Sequence, residues 1–305
     1  MDVFQQLLTH VLPLYALIVV GFFAKRRWNL ESKWISKLLL YILIPLLIVE
    51  NLLKANLSET MVIGSMVFVL ALTMNLPAIL CKRFFAKDFN GSLLKGSFSY
   101  YNIGWFGIPV VMALFGSKEM PLIISAYVGN VLYGDTIGYY LMSRTKGLGV
   151  TKAVKNIFKI PAIYACLIAI LLNITKIELP KGAEAIGSVI SWAASALGML
   201  IIGITLAELN FKQIPYLTFT KILAIRYLSG AVFLITLVLL EKQFLQVLNA
   251  EKSNLMLLIS GFPIAANLVV FASFLETEKA NSALLVGISS IISLFLVPLL
   301  CLLLF

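Results

Sequence analysis

A chain of 305 residues that is 61% hydrophobic and 12% charged, with a mean hydropathy of +0.99, has more apolar surface than one water-facing globule of that size can hide. The composition argues against a soluble enzyme and reads as an all-α integral membrane protein. The net charge of +10 does not signal nucleic acid, because the 24 Lys and Arg sit in short clusters between apolar runs, where they orient membrane helices.

The N-terminal stretch Met1 to His10 carries Asp2 and no Lys or Arg, so it lacks the basic start of a cleaved signal peptide, and the first apolar run is expected to stay in the mature protein. From there, apolar runs of spanning length fall near 5–24, 34–53, 61–81, 97–116, 120–142, 157–175, 185–207, 221–240, 254–275 and 282–305. The runs are too long and continuous for the alternating strands of a barrel, and a backbone in lipid must satisfy its own hydrogen bonds, so ten helices are predicted. The loops after the odd-numbered spans hold 18 of the 24 Lys and Arg, counting Lys221 and Arg226 with the loop after span 7, and the other side holds six. Both termini are therefore predicted outside. Cys81, Cys166 and Cys301 fall in or at the ends of apolar runs without metal-ligand or CxxC spacing, and read as buried thiols.

Span 4 reads Ser97-Phe98-Ser99-Tyr100-Tyr101-Asn102-Ile103-Gly104-Trp105-Phe106-Gly107-Ile108-Pro109-Val110-Val111. Proline removes a backbone donor and glycine adds freedom, so this span is expected to break at Gly107-Ile108-Pro109, with a second half-helix starting near Val110. Asn102 would then end the first half. The aromatic side chains of Tyr100, Tyr101, Trp105 and Phe106 either wall a pocket or pack against neighbouring helices. Span 5 carries Asn130 and, in Tyr133-Gly134-Asp135-Thr136, the clearest acid inside an apolar run. An intramembrane carboxylate is costly, which makes Asp135 a candidate for carrying a coupling proton or holding Na⁺; a structural hydrogen bond is the alternative.

The longest basic connection, Ser143 to Lys159, divides the chain into five spans and five. Residues 1–143 form a first repeat, 144–156 a basic cytoplasmic linker, and 157–305 a second repeat. An odd number of spans per half inverts one half relative to the other. Tyr15-Ala16 recurs as Tyr164-Ala165, and Pro109 recurs as Pro263 at an offset of 154 residues.

Span 9, Ser260-Gly261-Phe262-Pro263-Ile264-Ala265-Ala266-Asn267, is expected to break as span 4 does, with a half-helix starting near Ile264 and Asn267 in its first turn. Two such breaks facing each other would present positive helix ends and free amides to an anion; the alternative is that Gly-Pro only kinks two packed helices. The expected binding site is thus Asn102, Gly107, Ile108, Pro109, Val110, Pro263, Ile264, Ala265 and Asn267. The two asparagines either hold a carboxylate or cap freed carbonyls. In span 10, Ser289 corresponds to Asp135 at the same offset of 154, so Asn130, Asp135 and Ser289 are the expected polar sites for ion coupling behind the breaks. Glu50 and Glu208 read as interfacial.

Asn102-Ile103-Gly104-Trp105-Phe106-Gly107-Ile108-Pro109, followed by Ala113-Leu114-Phe115-Gly116, resembles the first crossover of the auxin efflux carrier family. That family includes plant PIN-type auxin exporters and microbial permeases associated with malate, malonate and related organic acids. Phe262-Pro263-Ile264-Ala265-Ala266-Asn267-Leu268-Val269-Val270-Phe271-Ala272 resembles the microbial form of the partner motif. The resemblance implies a five-plus-five inverted repeat with a mobile unit and a scaffold, and crossed helices 4 and 9 that bind an organic anion and change access by an elevator-like movement. It also implies Asn102 as a substrate contact, Pro109 and Pro263 as the crossover points, and a homodimer. The chain lacks the plant exporters' long central loop, and Leu268 stands where they carry another proline, which favours a bacterial-type permease of the cell membrane over an auxin carrier.

The function read from these features is secondary transport of a small carboxylate, with no cofactor, no metal, and H⁺ or Na⁺ as the coupling ion. Membrane lipids and the organic anion are the expected partners. No GxxxxGK[ST] phosphate loop is present for ATP. A non-transporting receptor or scaffold is the second reading. A membrane-embedded enzyme is the third, and His10 as the single histidine argues against it.

Overall fold

The computed structural model describes residues 5, 9, 12–138, 140–141, 161–177, 182–208, 216–265, 267–269 and 278–305. The 144–156 linker and His10 lie outside the described residues. Among those described, regular structure is helical apart from one isolated β-bridge.

The apolar runs become α1 (Leu12–Trp28), α2 (Ser32–Leu38 and Ile44–Lys54, joined by a π turn at Leu39–Leu43) and α3 (Leu57–Thr73 and Asn75–Phe84). Then follow α4 (Gly91–Ser99), α5 (Ile108–Phe115, entered through a π turn at Ile103–Gly107) and α6 (Met120–Tyr133, extended by a π turn at Gly134–Gly138). The second half supplies α7 (Pro161–Ile174), α8 (Ala183–Ala207), α9 (Tyr216–Phe244), α10 (Ala250–Leu258, closed by a 3-10 turn at Ile259–Gly261) and α11 (Lys279–Leu304). Six helical stretches among the described residues are long and apolar enough to cross a membrane, and α7 is a shorter apolar helix. Span 4 begins earlier than expected, at Gly91.

Local chemistry sets several boundaries. Asn56, Asn90 and Asn249 cap α3, α4 and α10, each side-chain oxygen accepting from backbone amides of the first turn. The chain reverses between α5 and α6 at Gly116, whose φ of +64° a side chain would strain. Pro121 sits in the first turn of α6, where a missing N–H costs nothing.

The helices pack as two groups. In one, α1 lies along α8 and α2 along α7; in the other, α3 packs on α6, and α9, α10 and α11 pack on one another and on the α3–α4 region. The groups meet where α8 runs against α5 and its π turn and where α2 and α7 touch α6. Many large apolar side chains remain exposed, among them Phe23, Trp28, Met61, Leu228, Leu239 and Phe295, as expected of helices that face lipid. On one side of the molecule, Lys118 and Lys252 cross-link the loops, pairing with Glu251 and Glu59 respectively. The hydrogen bond that Lys118 donates to the Glu251 carboxylate is the main reason its amine is held above its ordinary pKa.

Two expectations are corrected here. Cys81 and Cys301 are buried, but Cys166 is only half-buried on α7. Arg226, counted above with the loop after span 7, lies inside α9 and is fully buried, so it contributes nothing to the surface charge that orients the chain.

Candidate functional site

Both irregular spans are interrupted, and the interruptions meet. Helix α4 stops at Ser99, and Tyr100 and Tyr101 run extended before the chain turns at Asn102. In span 9, helical structure stops at Gly261, and Phe262 to Ala265 run non-helical before 267–269 turn helical again. Tyr101 and Ile264 form an antiparallel bridge, with the Asn102 amide donating to the Pro263 carbonyl at 2.9 Å and the Ala265 amide to the Tyr100 carbonyl at 3.2 Å. Each gap thus satisfies part of the backbone that the other leaves open, which is how an unwound segment is tolerated among membrane helices.

Pro109 does not make the first break. Backbone is helical without interruption from Ile103 to Phe115, and Pro109 sits in the first turn of α5. The π turn before it accommodates the ring: Gly107 donates to the Asn102 carbonyl and Ile108 to that of Ile103, each five residues back, so the ladder is already widened where proline would clash. The second half-helix therefore starts at Ile103 rather than near Val110, and Asn102 is its N-cap rather than the end of the first half. In span 9, Pro263 lies inside the break as expected, and Asn267 is helical in the turn that follows. The remaining expected contacts also surround the breaks: Gly107, Ile108, Val110, Ile264 and Ala265 are all buried.

The Asn102 side chain is 3% exposed. Its Oδ1 accepts from the Trp105 amide at 3.2 Å, while its Nδ2 has no hydrogen-bond partner among the described residues. A buried amide donor left open beside the N-terminal end of a helix is an incomplete constellation with room for an acceptor oxygen.

The side of each break turned away from its partner is braced by another helix. Asn130 of α6 donates from Nδ2 to the Tyr101 carbonyl at 2.9 Å and accepts the Tyr101 amide on Oδ1 at 3.4 Å. Ser289 of α11 accepts the Ile264 amide at 3.0 Å. These two expected residues therefore hold the central residues of the two paired segments. Substituting Ser289→Ala should leave the Ile264 amide open at a cost of about 1–3 kcal/mol; thermal unfolding in detergent would register it, and an unshifted transition would mean that another group takes the proton. The backbone of Asp135 falls in the π turn whose Gly134 carbonyl accepts the Tyr100 hydroxyl at 3.0 Å; its side chain is outside the described residues.

The sequence reading missed three partners. Ser293 donates to the Gly261 carbonyl at 2.7 Å, the Tyr227 hydroxyl donates to the Ser289 carbonyl at 3.0 Å, and the Arg226 guanidinium reaches carbonyls of both breaks. Ser289 and Ser293, four apart on one face of α11, were a legible polar stripe in an apolar helix.

Aromatic packing closes the site. Phe106 and Phe262, one from each span, meet edge-on with centroids 5.7 Å apart, and Gly107 is required for it, since a Cβ there would sit 2.5 Å from the Phe262 ring. Tyr100 and Trp105 are buried as well. A crevice of about 460 Å³ opens at the far end of α5, lined by Met112 to Gly116, Trp192 of α8 and Glu251. Among the described residues no cluster of His, Cys, Asp and Glu is placed to hold a metal ion.

The profile of the membrane transport protein family matches residues 6–301. Over 285 residues, 86% of each chain, the sequence is 23% identical to the uncharacterized transporter YfdV of Escherichia coli K12. Over 303 residues, 95% of this chain and 96% of the other, it is 24% identical to the uncharacterized transporter MJ1031 of Methanocaldococcus jannaschii. With its apolar spans and paired interruptions, the chain belongs to the membrane transport protein family, that of the auxin efflux carriers.

Proposed function

We propose that the protein is a secondary carrier of small organic anions, built from ten spans in two inverted repeats, 1–143 and 157–305, joined by the basic segment 144–156. The substrate carboxylate sits where spans 4 and 9 cross. The observation that carries this reading is the open Nδ2 donor of buried Asn102 at the start of the Ile103–Phe115 helix. An anion there gains a charge-assisted hydrogen bond and the favourable end of a helix dipole without a mobile counter-charge. Asn267, half-buried in the first turn after the second break, is a second amide for the same carboxylate, with the backbone of Gly107 to Val110 and Pro263 to Ala265 forming the walls.

Access alternates by movement of the group holding the crossing against the group formed by α1, α2, α7 and α8. The crossing lies at that boundary: a Cβ on Gly198 of α8 would approach the Trp105 carbonyl oxygen to 2.7 Å. The crevice at the far end of α5, beside Trp192 of α8, has a volume that suits a small carboxylate. Asp135, with Asn130 and Ser289 behind the breaks, is the candidate region for coupling to H⁺ or Na⁺. A homodimer in a bacterial-type cell membrane, its exposed apolar helices in lipid, completes the proposal.

The test is uptake of radiolabelled malonate or malate into proteoliposomes by the wild type and Asn102→Ala. Losing one hydrogen bond to a charged group costs about 1.5–3 kcal/mol, so transport efficiency should fall roughly 10- to 150-fold while the variant stays folded. Equal flux in both would remove Asn102 from binding. Ligand-dependent stabilisation of the wild type without flux under any imposed gradient would favour a receptor instead.

A further inference from the structure

Arg226 is fully buried in α9, and its guanidinium faces no carboxylate among the described residues. Its hydrogen bonds go to three main-chain carbonyls: Nε to Ser97 at 2.9 Å, Nη1 to Phe262 at 3.1 Å and Nη2 to Tyr100 at 3.5 Å. Its Cζ lies 4.6 Å from the Tyr101 ring centroid and 5.1 Å from that of Tyr227. A charge withdrawn from water without a formal counter-charge is among the costliest arrangements in a membrane protein, so it must be balanced by something at that spot.

What balances it is a pair of helix ends. Helix α4 closes at Ser99 and the α10 segment closes at Gly261, so the C-terminal carbonyls of both first half-helices converge on the guanidinium. Ser97 and Phe262 carry carbonyls that the breaks release from the helical ladder. Each C-terminal end carries about half a negative charge, so the two together amount to roughly the one positive charge that Arg226 supplies. Unwound carbonyls and half-helix C-termini are also the groups that coordinate a sodium ion in coupled carriers.

We infer that Arg226 is the crossing's resident cation. It takes the position in which these carbonyls would otherwise hold a coupling Na⁺, and it cancels both negative helix ends. The helix start at Ile103 and the Asn102 amide are then left as an unopposed attraction for an anion. This rests on the organic-anion reading and narrows it, removing sodium from the coupling and leaving a proton at Asp135 as the coupling ion.

Malonate flux into proteoliposomes, measured in sodium, potassium and N-methylglucamine buffers, tests the inference. Wild-type rates should be the same in all three. Arg226→Ala should lose at least about tenfold, as befits a lost set of charged hydrogen bonds, and should recover in part with millimolar guanidinium or sodium. Arg226→Lys keeps the charge as a point donor without the fork, and should retain reduced flux that ignores sodium. Wild-type flux that requires sodium overturns the inference, as does Arg226→Ala working at the wild-type rate. A wild type that moves neither malonate nor malate removes the anion reading instead. The resident cation is then decided by melting in detergent, where guanidinium and sodium should stabilise Arg226→Ala and choline should not; no difference among the three overturns it. If the alanine variant is not recovered, the lysine variant decides: melting close to the wild type and indifferent to sodium supports the assignment, and stabilisation by sodium overturns it.

Discussion

Replacing Asn130 with leucine should destabilise the protein by about 2–6 kcal/mol, because two buried backbone groups lose their partner at once. The Asn130 carboxamide donates to the Tyr101 carbonyl and accepts from the Tyr101 amide, so one side chain mimics a neighbouring strand at a position where the other face of the chain is already paired with span 9. Leucine has a similar branched shape but is larger, and it has neither function, so crowding adds to the loss. Water cannot compensate easily, since Tyr101 is 1% exposed and Asn130 is 7% exposed. Asn130→Asp separates the two bonds: a carboxylate still accepts the Tyr101 amide, but it faces the Tyr101 carbonyl with no proton to give. It should therefore also be destabilised, and less so if it takes up a proton. Apparent melting of the purified protein in detergent would rank the three, and a leucine variant melting with the wild type would show that this amide does not hold the break open.

The sequence made the place of the paired interruptions legible but not how they form. Gly-Pro pairs in corresponding spans drew attention to residues 107–109 and 261–263, and span 9 does unwind at Pro263. In span 4 the proline is absorbed by a π turn, and the chain unwinds before it, at Tyr100 to Asn102, where the partners of the freed groups are the Pro263 carbonyl, the Ala265 amide and Asn130. Those partners are distant in sequence, so local propensity could locate a weak helix without saying which residue gives way. Arg226 was misplaced for a related reason. A basic residue near the start of an apolar run reads as a loop charge until the run is seen to begin earlier, at Tyr216, which places the guanidinium among helix ends instead of in water. Asn102 stood out in the sequence as an amide beside the expected break, but its role as the N-cap of the Ile103 helix was not legible, because the proline points to a break seven residues later, at Pro109.

The second large effect concerns the distinction between glycines that weld a helix group together and the glycine that separates the two groups. On α6, a Cβ at Gly129 would lie 2.1 Å from the Gly64 carbonyl oxygen and 2.9 Å from the Gly64 Cα of α3; on α8, a Cβ at Gly203 would lie 1.9 Å from the Ile18 carbonyl oxygen of α1. The obstacles are backbone, with no flexible side chain to swing away, so Gly129→Val and Gly203→Val must each push two helices apart along their contact. In lipid, helices gain by close packing rather than by leaving water, so this separation forfeits much of what joins them. Each should cost about 3 kcal/mol or more and abolish recovery of folded protein. Gly198 differs in kind, because its 2.7 Å approach is to Trp105 across the boundary that must move if access alternates. Gly198→Ala is expected to stay folded and lose most of its flux, having lodged a methyl group in the sliding surface. Size-exclusion profiles and proteoliposome uptake of the three variants together test this: a Gly198→Ala protein that carries malonate as the wild type does would place the moving boundary elsewhere, and folded Gly129→Val or Gly203→Val would mean that the helix pairs are not welded where the glycines meet.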